Sequence, residues 1–204
     1  VSVEPCGNFA RITTEMGYNT YDKFWSRELA EKITTSHGKQ DLIFSANCMC
    51  HIQNLKSAFD SVAMTLSKTG VFVFEDPSIM KMIERGSYDQ IYDEHAHIFS
   101  VTALQNVLNS SGLEVFKVQN LSVHGGSNRI FACPVGTRSI DISVKENLDR
   151  EDSSGINSIG FNTTVDYAFL GAWNYEKEIL NNEKEFLKNG RFITHVPHVR
   201  FVKN

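Results

Sequence analysis

An α/β fold with a mostly parallel sheet closed by an antiparallel hairpin is what this sequence predicts, and three observations lead there. Short, almost continuously apolar runs recur through the first 136 residues, as in strands buried on both faces. Stretches of ten or more residues with helical periodicity separate most of them, the pattern of βα alternation and of helices covering both sides of a sheet. The last two runs, 113–121 and 128–134, are joined by too few residues for a parallel crossover and must therefore pair antiparallel.

Taken in order, residues 1–4 form a short β-type run and 8–17 a helix stopped at Gly17. A second strand is expected over 18–24. Ser26 caps a helix over 26–36 whose Leu29, Ala30 and Ile33 share one face, and DLIFSAN at 41–47 reads as a third strand. Residues 55–66 repeat Leu55, Ala58, Phe59, Val62, Ala63 and Leu66 at the spacing of a core-facing helix. GVFVF at 70–74 is the next strand, ended by Glu75-Asp76-Pro77. A helical or irregular stretch runs to Tyr92, then a short helix over 102–111 stops at Gly112 before the two hairpin strands. Residues 137–161, with the charged block KENLDRED, read as a linker or a surface helix. A long helix over 162–189 carrying Leu170, Trp173, Ile179, Leu180, Phe186 and Leu187 opens the remaining segment, 162–204. The expected division is thus a core over 1–136, a linker over 137–161 and a helical extension over 162–204.

A chain of 204 residues, 41% hydrophobic and 22% charged, can build one domain with a substantial core plus an appendage. A net charge of -4 supplies no electrostatic footprint for nucleic acid or anionic membrane, which leaves a small molecule as the expected partner. No apolar run reaches the roughly 20 residues that cross a bilayer, and the amino terminus has no signal-peptide blocks, so a cytoplasmic location is expected. Cys6, Cys48, Cys50 and Cys133 have neither paired CxxC spacing nor disulfide-scaffold density; Cys48 and Cys50 read as small residues ending a strand, and no metal is expected.

Ligands of doubly wound sheets sit at the carboxyl ends of the strands. Three such ends are polar here: Glu4-Pro5, Asn47 through His51, and Glu75-Asp76-Pro77. A strand-end carboxylate such as Glu4 has two acceptor oxygens for two ribose hydroxyls, and it can equally cap the following helix. The densest segment is YDQIYDEHAH at 88–97, with two imidazoles, three carboxylates and two phenols in ten residues. Imidazole titrates nearest neutrality, so His95 beside a carboxylate can accept a proton from carbon or oxygen at physiological pH. Metal binding by His95 and His97, or a merely solvated acidic loop, are the competing readings. His124 opens a His-Gly-Gly-Ser turn in which Gly-Gly permits close approach of a ligand, and Ser127 and Arg129 can meet phosphate or sugar hydroxyls; an ordinary hairpin turn uses the same residues.

Five segments carry a family resemblance: VEP (3–5), DLIFSANCMCHI (41–52), GVFVFEDP (70–77), YDQIYDEHAHIFSVTALQNVL (88–108) and HGGSNRIFA (124–132). In order and spacing they resemble the S-adenosyl-L-methionine (SAM) dependent C-methyltransferases that add a branch methyl to nucleotide-linked keto-deoxysugars. The resemblance covers residues 1 to about 135 and implies a class I SAM-methyltransferase (Rossmann-like) fold. It implies His95 as the base that removes the proton next to the keto group, with Tyr92, Glu94 and His51 orienting it or hydrogen-bonding the developing enolate oxygen. Glu4, with Pro5, would hold the SAM ribose and Asn47 would line the cofactor cleft; His124, Ser127 and Arg129 would face the nucleotide sugar; S-adenosylhomocysteine would be the second product.

The sequence departs from the family at Asp93, where a His is usual, and at Phe99, the shifted position of an aromatic that follows the Glu-His pair. The family's zinc-binding domain, first strand and glycine-rich SAM loop would all lie before Val1, so a core lacking its first strand and a truncated second domain after Gly190 are expected; His195 and His198 in that tail are assigned no role. Competing functions are a methyltransferase of oxygen, nitrogen or another carbon acid, a non-catalytic remnant that only binds ligand or partner, and a half-sheet that pairs as a homodimer.

Overall fold

The computed structural model describes residues 1–87, 90–92 and 94–157, and beyond them 167–169, 180, 181, 184, 191–194 and 200–202. In chain order, β1 (Ser2–Val3) leads into α1 (Gly7–Glu15), β2 (Thr20–Tyr21) and α2 (Arg27–His37). Then come β3 (Gln40–Ala46), a 3-10 turn (Met49–His51), α3 (Leu55–Thr65), β4 (Leu66–Pro77) and α4 (Ile79–Arg85). α5 (Val101–Ser110), β5 (Leu113–Leu121), a second 3-10 turn (Val123–Gly125), β6 (Ser127–Pro134) and α6 (Ile142–Ser154) complete the main body. β7 (Tyr167–Phe169), β8 (Arg191–Thr194) and β9 (Arg200–Val202) form a separate three-stranded sheet in that order.

The alternation expected through residue 136 is present, with boundaries set by identifiable chemistry. Ser26 Oγ accepts the amide of Leu29 at 3.2 Å and so starts α2, whose Leu29, Ala30 and Ile33 are buried as their spacing predicts. Asn54 caps α3 through Ser57 N–H at 3.0 Å, and Ser100 caps α5 through Ala103 N–H at 3.1 Å.

The principal sheet has the order β3-β4-β6-β5, with β3 and β4 parallel and β6 antiparallel to both β4 and β5. β1 and β2 pair in parallel as a sheet of their own. One face of the four-stranded sheet carries Phe72, Phe74, Ile130, Ala132, Val115 and Val118, packed on Phe59 and Val62 of α3 and on Val101, Leu104 and Leu108 of α5. The Phe72 and Phe74 rings stack at 4.8 Å, and Phe59 meets Phe74 at 5.9 Å. Each such side chain contributes about 1.5 to 3 kcal/mol by leaving water.

The opposite face differs from expectation. Leu42 and Phe44 alternate out of β3 at 63% and 59% exposure, and no helix among the described residues covers them. An apolar run shows that both faces of a strand suit burial; it does not supply the covering element.

Of the two readings for 137–161, the structure has the helix, and one face of it is buried. Val144, Asn147 and Glu151 of α6 point inward. The Glu151 carboxylate, 1% exposed, accepts the amides of Val101 at 2.6 Å and Thr102 at 2.9 Å and the Thr102 hydroxyl at 2.7 Å. A negative charge on the positive end of α5 thereby ties α6 to the core. The long helix expected over 162–189 falls largely outside the described residues; within it the backbone at Tyr167–Phe169 is a strand, and residues 180–181 are helical. Tyr88, Asp89, Asp93, His195 and His198 also lie outside the described residues.

Candidate active site

β3 and β4 end side by side, and Asn47 N–H donates to the Glu75 carbonyl at 2.7 Å just where the chain leaves the sheet. Asn47 takes φ 49°, a left-handed conformation that Asn tolerates better than other side chains. The turn this starts carries Cys50 and His51 back over the end of β4. There the Cys50 amide donates to Asp76 Oδ1 at 3.1 Å.

The loop before α5 is anchored to the same turn, because His97 N–H donates to the Cys50 carbonyl at 3.1 Å and His97 Nε2–H to the Gln53 carbonyl at 3.3 Å. That anchoring sets His95 against His51, their ring centroids 4.9 Å apart. His95 Nδ1 lies 2.7 Å from the Gln90 carbonyl, and His51 Nδ1 lies 2.7 Å from the Glu94 carbonyl. A carbonyl oxygen only accepts, so each Nδ1 carries the hydrogen and each neutral ring keeps a basic lone pair on Nε2. Tyr92 covers that lone pair on His95, its hydroxyl donating to Nε2 at 2.9 Å with the rings 4.1 Å apart. His51, Tyr92, Glu94 and His95 are therefore one cluster. Glu94 acts in it through its backbone carbonyl, while its side chain is exposed. His97, the other half of the competing metal reading, is turned to Gln53 and stacks on Phe99 at 5.9 Å.

Asp76 is the member that sequence reasoning passed over. The residue is 3% exposed, and among the described residues Oδ2 has no hydrogen-bond partner. Burial pushes it above the usual carboxylate range, against hydrogen bonds from Cys50 and the positive charge available at His51 and His95. The signal was its place at the end of an apolar strand, but nothing local distinguishes it from its neighbour Glu75.

The remaining expected residues fall into two groups. Asn47 and His124, 77 residues apart in sequence, meet through Asn47 Nδ2–H and His124 Nε2 at 3.3 Å. Glu4 Oε1 accepts the amide of Cys6, the residue before α1, at 2.8 Å, and α1 has no side-chain cap; Oε2 bonds no described residue, and Pro5 beside it is exposed. In contrast, Ser127 is fully buried with its hydroxyl on the Val123 carbonyl at 3.3 Å. Arg129 is paired with Glu75 and also donates to Gln119 Oε1 at 3.3 Å. The strand register sets those partners, because it places Arg129 opposite both Glu75 and Gln119. Gly126 serves packing: a Cβ there would stand 2.5 Å from Lys81 Cβ of α4.

A family model described as a methyltransferase domain matches residues 3–118, more than half of the chain. The chain belongs to this family. It is a SAM-dependent methyltransferase with a class I, Rossmann-like α/β fold and a mixed sheet. Over 285 aligned residues it is 27% identical to the C-methyltransferase NovU of Streptomyces niveus, covering 99% of this chain and 68% of that protein. Among solved structures, it is similar to a SAM-dependent methyltransferase of Thermotoga maritima described as a possible histamine N-methyltransferase. There the TM-score is 0.48 and the identity 18%, over 64% of this chain and 70% of the other. It is also similar to a SAM-dependent methyltransferase of Clostridium acetobutylicum, with a TM-score of 0.41 and 15% identity over 66% of this chain and 83% of the other. No helix among the described residues is long and apolar enough to cross a membrane.

The family's cofactor is SAM, and two strand-end groups of this methyltransferase suit it chemically. Glu4 retains an acceptor oxygen besides the one bonded to Cys6, and Asn47 offers an amide at the mouth of β3.

Proposed function

We propose that this methyltransferase transfers the methyl of SAM to a ring carbon beside the keto group of a nucleotide-linked sugar, with His95 as base. The observation that supports this reading best is the pairing of the His95 Nδ1–H with the Gln90 carbonyl, which leaves Nε2 as the ring's proton acceptor. The C-methyltransferase name of the Streptomyces niveus relative agrees with carbon as the acceptor.

SAM, held by Glu4 and Asn47, supplies an electrophilic methyl on a positive sulfur; the protein must create the carbon nucleophile and align it. His95 Nε2 takes the proton from the carbon next to the keto group, and the electron pair of that C–H bond passes into an enolate. The Tyr92 hydroxyl occupies His95 Nε2 in the free protein, so substrate must displace it, and the displaced donor is then free to hydrogen-bond the enolate oxygen. His51 has its Nδ1–H committed to Glu94, so it reaches that oxygen as a donor only when its Nε2 is protonated; when neutral it orients the base. His124, fixed by Asn47, is the substrate-facing imidazole on the other side of the strand ends.

The test is incubation with SAM labelled with carbon-13 at the methyl and a keto sugar nucleotide, followed by carbon NMR. A new methyl bonded to carbon supports the reading. A methyl on oxygen or nitrogen overturns the carbon acceptor, and absence of heat with SAM in calorimetry overturns the enzyme in favour of a remnant. His95→Gln is expected to lower kcat by about 10²- to 10⁴-fold while SAM affinity stays unchanged.

A further inference from the structure

We propose that Cys50, His51 and His95 form a binding site for a borderline-soft divalent cation such as Zn2+, whose occupancy withdraws His95 from proton transfer. One ligand atom from each residue lies within 4.8 Å of the other two. A tetrahedral zinc with bonds of about 2.0 to 2.3 Å holds its ligands roughly 3.5 Å apart, a closure of about 1 Å that side-chain rotation can supply.

Three features favour a metal over coincidence. Both imidazoles donate Nδ1–H to backbone carbonyls, Gln90 for His95 and Glu94 for His51. That is the outer-shell arrangement which fixes the tautomer and leaves Nε2 as the metal ligand. The third donor is a thiol, and two nitrogens with one sulfur suit zinc better than magnesium or calcium. Behind the thiol stands Asp76, 3% exposed, with Oδ1 on the Cys50 amide and, among the described residues, no hydrogen-bond partner for Oδ2. A buried carboxylate short of hydrogen bonds is a charge that a nearby cation offsets.

Burial, and then Asp76, push the Cys50 thiol far above its ordinary value, so without metal it keeps its proton. Binding therefore forms a metal–sulfur bond, breaks the S–H bond and releases one proton to solvent. The Tyr92 hydroxyl must also leave His95 Nε2, which makes the cation a competitor of the base itself.

The site stands on geometry alone, whereas its effect on catalysis rests on the role proposed for His95. Titration of the whole chain with Co2+ is expected to give a thiolate charge-transfer band, and Zn2+ to displace it with release of one proton. Cys50→Ala, or Cys50→Ser where the alanine variant does not fold, abolishes the band; Cys48→Ser keeps it. His51→Gln and His95→Gln each weaken binding about tenfold or more, with circular dichroism unchanged. No saturable binding at millimolar Co2+, or a band that survives the Cys50 variants, overturns the site. Metal binding by a chain that shows no methyl transfer refutes the proposed reaction and leaves the site standing. Turnover unaffected at saturating Zn2+ refutes the inhibition.

Discussion

His95 is useful because of what holds its other nitrogen. An imidazole free to choose its tautomer presents a basic Nε2 only part of the time, and a carbonyl at 2.7 Å from Nδ1 removes that choice. The Tyr92 hydroxyl then has two tasks, covering the lone pair before substrate arrives and donating to an oxyanion afterward, and Tyr92→Phe is expected to lower kcat by roughly 10- to 100-fold with little change in KM, measured by initial rates. Asp76 is tested through stability. Its folded value is raised, so its contribution to stability is full below the ordinary carboxylate value, about 3.9, and is lost as pH rises through the raised value. Asp76→Asn should therefore be more stable than the parent at neutral pH, with the gap closing toward about pH 4; urea midpoints at both pH values check the sign. The segment 88–97 was legible as a reactive cluster from its composition alone. That His51 joins it was legible only through the family resemblance, because no local pattern encodes the meeting of segments 44 positions apart, and that Cys50 joins it was not legible at all.

The helices α2, α3, α5 and α6 begin where a side chain accepts a free amide, whereas α1 and α4 have no such cap, and at α2 the signal was readable. Ser26 was recognisable from its position before Leu29, Ala30 and Ile33, and Ser26→Ala is expected to cost about 1 kcal/mol in chemical denaturation. α5 carries a second device that its own sequence does not reveal. Glu151 of α6, 41 positions beyond Ser110, accepts two amides and a hydroxyl at its amino end. Glu151→Ala strands buried donors and removes a charge from the helix dipole, for an expected loss of about 2 to 4 kcal/mol. Glu151→Gln, which keeps the acceptor oxygen, should recover part of it. The block KENLDRED looked solvated because most of it is; at every third or fourth position, however, α6 turns a residue inward, and Asn147 and Glu151 found buried partners there.

For the whole molecule, the same kind of residue is worth different amounts on the two sides of one sheet. Phe74 is wholly buried against Phe59 and Phe72, and Phe74→Ala is expected to cost about 3 to 5 kcal/mol. Phe44, one strand away on the opposite face and 59% exposed, should tolerate Ser within about 0.5 kcal/mol, and a pair of urea melts distinguishes the two cases. The amino-acid sequence by itself determined the alternation of strands and helices through residue 136, the change from parallel to antiparallel pairing at the hairpin that ends it, the Ser26 cap and the reactive segment around His95. Those follow from local period, turn length and side-chain chemistry, which neighbouring residues carry among themselves. Only the tertiary structure decided that Cys50 and Asp76 share the His95 site, that Ser127 is buried and Arg129 pairs with Glu75, that Glu151 closes α5 and that, among the described residues, helices cover one side of the main sheet. Each of these depends on which distant segments pack together, and packing is settled by the whole chain's burial against its loss of conformational freedom, not by any stretch read alone.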